Sequence, residues 1–142
     1  MKRNLMLMVL VSLLYAKGFA QKIKEADVPQ AVKTSFVKSY PSVNPAWEKE
    51  KGNYEAGFKK NGKEMSVVLT PDGKIVESEV GISEKELPPA ATEYIKTNYK
   101  GKRVKEYAKI TAANGKITYE AEIEGKDVIF DSNGSFIKES KD

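Results

Sequence analysis

The sequence contains no cysteine, no histidine and only one tryptophan. Without cysteine there can be no disulfide, no thiolate zinc site and no cysteine nucleophile. Without histidine the Ser-His-Asp triad is excluded. The chain also lacks a phosphate-binding glycine loop and a clustered set of metal-ligand residues. No apolar run beyond the N-terminal region is long enough to cross a bilayer. Any enzyme built from these residues would have to work with carboxylates, tyrosine and lysine alone. The expectation is therefore a protein without catalytic activity, cofactor or metal.

What is present begins with an address. Met1-Lys2-Arg3 is a short basic start, and an apolar run follows from Leu5 to Tyr15, interrupted only by Ser12. Gly18 and Ala20 are small residues placed for signal-peptidase cleavage before Gln21. This predicts a signal peptide over residues 1–20 and a periplasmic or secreted mature chain from Gln21 to Asp142. With no cysteine there is no lipid anchor of the lipoprotein type. The full sequence of 142 residues carries a net charge of +4. Loss of Lys2, Arg3 and Lys17 with the signal leaves 21 basic against 20 acidic residues, a net charge of +1. The remaining lysines and glutamates interleave, and Arg103 is the only arginine left, so a nucleic-acid partner is not expected.

The mature chain is written twice. Val28-Pro29-Gln30-Ala31-Val32 is echoed by Leu87-Pro88-Pro89-Ala90-Ala91, and Tyr54-Glu55-Ala56 by Tyr119-Glu120-Ala121. Val67-Val68-Leu69 with Asp72-Gly73 is echoed by Val128-Ile129-Phe130 with Asn133-Gly134. Three blocks in the same order, with offsets that drift at turns, indicate a duplication. Each half opens with a helix: Val28, Val32, Phe36 and Tyr40 form one apolar stripe, and Leu87, Ala91, Ile95 and Tyr99 form the other. Pro29 lies in a first turn, and Pro41 ends the first helix. Three turn signals then follow in each half: Gly52-Asn53, Asn61-Gly62 and Asp72-Gly73, then Asn114-Gly115, Gly125 and Asn133-Gly134. Three turns separate four strands. The predicted architecture is α+β: two tandem α-β-β-β-β repeats, over residues 21–83 and 84–142, whose antiparallel meanders form a sheet with the helices packed on one face. The other face is expected to be polar and wet.

These motifs resemble the PepSY-like, beta-lactamase-inhibitor-like family of small exported bacterial proteins. The resemblance rests on Val28-Pro29, Leu87-Pro88-Pro89, the two Tyr-Glu-Ala blocks, Val67 to Lys74 and Val128 to Gly134. It covers essentially the whole mature chain. It implies one continuous sheet with a concave open face, and relatives that include an inhibitor binding its enzyme through that face. Fold alone assigns no partner.

Two segments combine an aromatic with cations. Trp47 alternates with Lys49 and Lys51, and Tyr107 alternates with Lys105 and Lys109. Period-two geometry places each aromatic on a lysine-bearing face, taken as solvated. Exposed aromatics beside cations are typical interface anchors, so Trp47, Lys49, Lys105, Tyr107 and Lys109 are the candidate binding residues. The alternative for Trp47 is packing over the sheet edge or under the preceding loop. Glu120, Glu122 and Glu124, with Glu55 equivalent to Glu120, read as a solvated acidic stripe. Asp131-Ser132-Asn133-Gly134 has its glycine at the fourth position, where a calcium loop needs it at the sixth, and reads as a turn. The expected function is a non-catalytic binding or inhibitory module acting on another exported or envelope protein through the open sheet face. A small-molecule or peptide site between the repeats is the alternative.

Overall fold

The computed structural model describes residues 20–141. The predicted signal peptide lies outside the described residues except for Ala20. The elements run in the order β1 (Gln21–Ile23), α1 (Gln30–Ser39), β2 (Ala46–Glu50), β3 (Asn53–Lys60), β4 (Lys63–Leu69) and β5 (Ile75–Ile82). The second half supplies α2 (Pro89–Asn98), β6 (Val104–Ala112), β7 (Ile117–Ile123), β8 (Lys126–Asp131) and β9 (Phe136–Lys141). Among the described residues, the nine strands form one antiparallel sheet in sequential order. The α+β class, the paired helix-plus-meander halves and the helices on one face are as the sequence predicts. Strand β1 is an addition: three residues give too short a pattern to announce a strand. It begins at the residue that follows the predicted cleavage point.

Turn chemistry sets the register. Lys51-Gly52, Asn61-Gly62 and Glu124-Gly125 each hold two consecutive positive φ values, the requirement of a two-residue type I′ hairpin. The loops Thr70–Lys74, Ala112–Lys116 and Asp131–Ser135 are longer. In each, the first residue accepts a hydrogen bond from the turn glycine and its amide donates to the last residue's carbonyl. Two of these glycines face the helix of their own half. A Cβ on Gly73 would stand 2.5 Å from the Ala31 carbonyl oxygen, and one on Gly134 would stand 2.7 Å from the Ala91 nitrogen.

The core divides into two clusters, one under each helix. Val28, Val32 and Phe36 pack with Trp47, Ala56, Phe58, Val67 and Leu69. Leu87, Ala91 and Ile95 pack with Ala121, Ile123, Val128 and Phe130. The stripes of α1 and α2 thus meet alternate residues of the strands, which is what buries both patterns at once. Strands β5 and β6 join the halves through six register pairs, from Glu77 opposite Ala112 to Ile82 opposite Tyr107. A side-chain bridge adds to this seam: Lys63, on the β3–β4 hairpin, contacts Glu86 at 3.0 Å. Glu86 also closes a capping box with Ser83 ahead of α2. Among the described residues no helix is long and apolar enough to cross a membrane.

Candidate binding face

The candidate aromatics lie on the helix side of the sheet. Trp47 stands opposite Ile23 and Ala56. It is only 5 % exposed, with its ring edge-on to Phe36 at 5.4 Å. The expectation of a solvated Trp47 is corrected: it is a core residue. The pairing explains why. Any two-residue turn near Gly52 sets Trp47 against an even-numbered residue of β3, and Tyr54, Ala56 and Phe58 are the core face. Lys49 shares that face at its edge, exposed, with its ammonium 5.5 Å from the centre of the Tyr54 ring.

Tyr107 is also corrected. It pairs with Ile82 and Ala121 and packs, half-buried, against the core under α2. Lys109 follows it, in register with Val80 and Tyr119. Ala108 and Ile110 alternate with these two and lie on the helix-free face. Lys105 is separated from its neighbours by an irregularity in the β6–β7 pairing between Val104 and Glu106. Its Nζ reaches both oxygens of Glu122, at 2.8 and 3.1 Å, on the helix-free face. Of the five candidates, then, only Lys105 reaches that face.

Carboxylates dominate the helix-free face. Cross-strand register builds it in rows. One row carries Glu48, Glu55, Val68 and Glu77; the next carries Gly57, Ser66, Glu79, Ile110 and Thr118. A third runs Gly81, Ala108, Glu120 and Ile129, and a fourth runs Glu106, Glu122 and Asp127. The expected wet stripe is thus corrected as well. Glu77, Glu79, Glu120, Glu122 and Asp127 are all buried, whereas Glu124 sits exposed in a turn. Glu120 is 1 % exposed, and neither of its oxygens has a hydrogen-bond partner. Like charges directly across a ladder repel, and three in succession, Glu106, Glu122 and Asp127, are eased by Lys105.

Proton affinity follows from this crowding. Burial, reinforced by Glu79, Asp127, Glu106 and Glu122, pushes Glu120 up to about 10. Burial also raises Glu55 to about 7, with Glu48 and Glu50 adding repulsion and the neighbouring Ser66 acting in the opposite direction. Glu77 rises to about 7 through burial and the nearby Glu55. A desolvated carboxyl holds its proton because the charged form has lost its water. Among the described residues no group of three acidic side chains is placed to hold a metal ion.

A cavity of about 620 Å³ opens where the two halves meet. Its walls include Glu55, Glu79, Glu106 and Lys105, with Gly81 and Ala108 at the β5–β6 seam. Met65, Ile82 and Tyr107 also border it, from strand positions whose side chains pack toward the helices, and the Lys63–Glu86 pair lies in its lining. The small side chains of Gly81 and Ala108, opposite each other, are what leave the space.

A duplicated helix-plus-meander chain with an uncovered sheet face now has a match. The sequence fits the beta-lactamase-inhibitor-like, PepSY-like family over residues 15–77 and again over residues 74–138. The chain belongs to this family. Solved structures agree at the level of the PepSY-like fold. A candidate periplasmic protein from Bacteroides eggerthii superposes with a TM-score of 0.74 at 20 % identity, over 80 % of this chain and 88 % of its own. A DUF2874-family protein from Bacteroides uniformis gives 0.71 at 20 % identity, over 80 % and 88 %. A BLIP-like protein from Bacteroides fragilis gives 0.65 at 23 % identity, over 80 % and 86 %. No curated protein matches the sequence. None of these matches indicates a catalytic family.

Proposed function

We propose that this PepSY-like chain is an exported, non-catalytic binding module, with an inhibitory action as its narrower form, that engages another exported or envelope protein through its helix-free sheet face. The observation that carries this reading is the state of that face: Glu120 buried with both oxygens unpartnered, among further buried carboxylates, beside an open cavity. Buried polar groups in folded proteins are normally satisfied, and a buried carboxyl with no hydrogen-bond partner, on a face that no helix covers, favours that face as the place where something binds. The basic start, apolar run and small-residue cleavage site support export.

Crosslinking in the native envelope tests the assignment with two variants. Gly81→Leu fills the cavity, where a Cβ has its nearest neighbour at 3.5 Å, so the fold should tolerate the start of a side chain. Val37→Glu alters an exposed position on α1, on the opposite side of the sheet. The partner captured by the wild type should be lost with Gly81→Leu and kept with Val37→Glu. The reverse pattern would place the interface on the helices and reject the proposal.

The cavity at the seam favours a second reading, a small molecule or peptide held between the repeats. Its volume is in the range of ordinary ligand sites.

A further inference from the structure

The sheet ends differently on its two sides. At one edge stands β1, three residues long; at the other stands β9, six residues from Phe136 to Lys141. The duplication supplies a reference for the longer edge, because β9 is the counterpart of β5. Each follows the glycine turn of its half, and each pairs with its hairpin partner through the same irregularity. In the first half Leu69 stands opposite Ile75 and Val68 opposite Glu77; in the second Phe130 stands opposite Phe136 and Ile129 opposite Lys138. What differs is the far side. There β5 is covered by β6, and the Val76 carbonyl also accepts a hydrogen bond from the Ala113 amide at 2.9 Å. Among the described residues no strand pairs with the far side of β9. Exposure follows. Ile75 and Val76 are half-buried and Glu77 and Glu79 buried, whereas their counterparts Phe136 and Ile137 are each 40 % exposed and Lys138 and Ser140 half-buried. The exposed Phe136 ring is held in position, stacked on Tyr94 at 4.8 Å.

We infer that the β9 edge receives an extended segment of another protein, added antiparallel as β6 is added to β5, with acidic side chains opposite Lys138 and Lys141 and an apolar side chain beside Phe136 and Ile137. This edge is a second surface, and the inference stands whether or not the helix-free face binds. In strand addition the main-chain hydrogen bonds supply affinity and the side chains supply selectivity. Charge sets the chemistry here. Lys141 lies directly opposite Lys126, and Glu139, the one acid of the strand, is engaged within the protein by Lys126 at 2.7 Å and by the Tyr99 hydroxyl. Lys138 is in register with Ile129 on the helix-free side. The edge thus presents cations on both faces, and acids opposite them are the favourable cross-strand pairing. A second copy of this chain is a poorer occupant. Two-fold pairing of β9 with itself over its whole length centres on Lys138 or Glu139 and sets like charges directly against each other. The β2 edge of another copy is already taken by its own β1.

Amide NMR titration of the ¹⁵N-labelled mature protein with capped peptides tests this. The probe is the part of β6 and its turn that covers β5, Lys109–Ala113, altered by Lys109→Glu, Ala112→Glu and Ala113→Val so that its acids meet Lys141 and Lys138 in the equivalent register. The unaltered Lys109–Ala113 peptide and the acidic peptide N-methylated throughout are its controls. Saturable shifts concentrated on Phe136–Lys141 are expected for the acidic peptide. The unaltered peptide should bind about tenfold more weakly, since it sets a lysine against Lys141. The N-methylated peptide, stripped of its main-chain donors, should not bind. In Lys141→Glu the preference between the first two peptides should reverse, with circular dichroism confirming the fold. Shifts centred on β1 or on the helix-free face, equal binding of the N-methylated peptide, an unchanged preference in Lys141→Glu, or no saturable binding would overturn the inference. So would a dimer of the free protein, seen by light scattering, that is lost with Lys141→Glu, which would assign the edge to a second copy.

Discussion

At the scale of single residues, the most telling is Glu120, because a carboxyl with 1 % exposure and no hydrogen-bond partner opposes folding whenever it would otherwise be ionised. In the unfolded chain a glutamate titrates near pH 4.3, so below that pH both states are protonated and no difference arises. Above it, the folded protein must hold a proton that the unfolded chain has released, up to the folded value of about 10. Glu55 and Glu77, at about 7, act with the same sign over the lower part of that range. Stability should therefore fall as pH rises from about 4 through 7 and beyond, which the urea midpoint at successive pH values checks. Glu120→Gln should raise stability at pH 8 by about 1–3 kcal/mol and leave it unchanged at pH 4. A midpoint at pH 8 equal to that of the wild type would show that Glu120 is solvated.

Trp47 makes the complementary case. Its indole is enclosed by Phe36 and the β1–β2–β3 ladder. Trp47→Ala should cost about 3–5 kcal/mol, read from the urea midpoint, and as the only tryptophan Trp47 should emit at short wavelength and resist quenching by acrylamide. Emission near that of free indole, with easy quenching, would contradict its burial. Its place was legible in advance. A two-residue hairpin at Gly52 leaves it no choice of face, whereas the alternation with lysines pointed the other way.

At the scale of elements, the decisive devices are turns and irregularities. Tyr107 depends on one: the loop Ala112–Lys116 is longer than a two-residue turn, and that one-residue difference moves Tyr107 from the face of Glu122 to that of Ala121. Asn114-Gly115 marks a turn without stating its type, so the sequence pattern did not reveal the shift. The irregularity beside Lys105 then sends one residue of the strand to the other side. Turns also bind the sheet to its helices. Gly73 and Gly134 have φ of +88° and +86°, and each has helix atoms closer than 3.0 Å to where a Cβ would stand. Gly73→Ala and Gly134→Ala should each cost about 2 kcal/mol or more, combining left-handed strain with a clash. Gly52→Ala shares the positive φ but meets nothing within 4 Å, so it should cost about 1 kcal/mol. Thermal denaturation of the three variants separates strain from crowding. Equal losses in all three would show that the helix contact does not matter.

At the scale of the whole molecule, two hydrophobic clusters share one sheet, and the six-pair seam between β5 and β6 decides whether they behave as one unit. The unbroken ladder, with Lys63 reaching across to Glu86, predicts joint unfolding. Trp47 fluorescence reports on the first half and far-ultraviolet circular dichroism on both, so their urea transitions should coincide. Separated midpoints would show that the repeats unfold independently. The seam also makes the cavity, since neither half alone contributes all of Glu55, Glu79 and Glu106.

The sequence by itself determined the repeat, the two helices, the eight meander strands and the family, because helix stripes, strand alternation and Asn-Gly or Asp-Gly turns are local patterns with local causes. It also excluded every reaction that needs histidine or cysteine. Only the tertiary structure decided what the helix-free face is. Glutamates alternating with apolar residues read as a wet surface, and their burial depends on neighbouring strands closing around them, which no single strand encodes. The cavity likewise arises from Gly81 meeting Ala108 across two repeats, a long-range pairing of small residues.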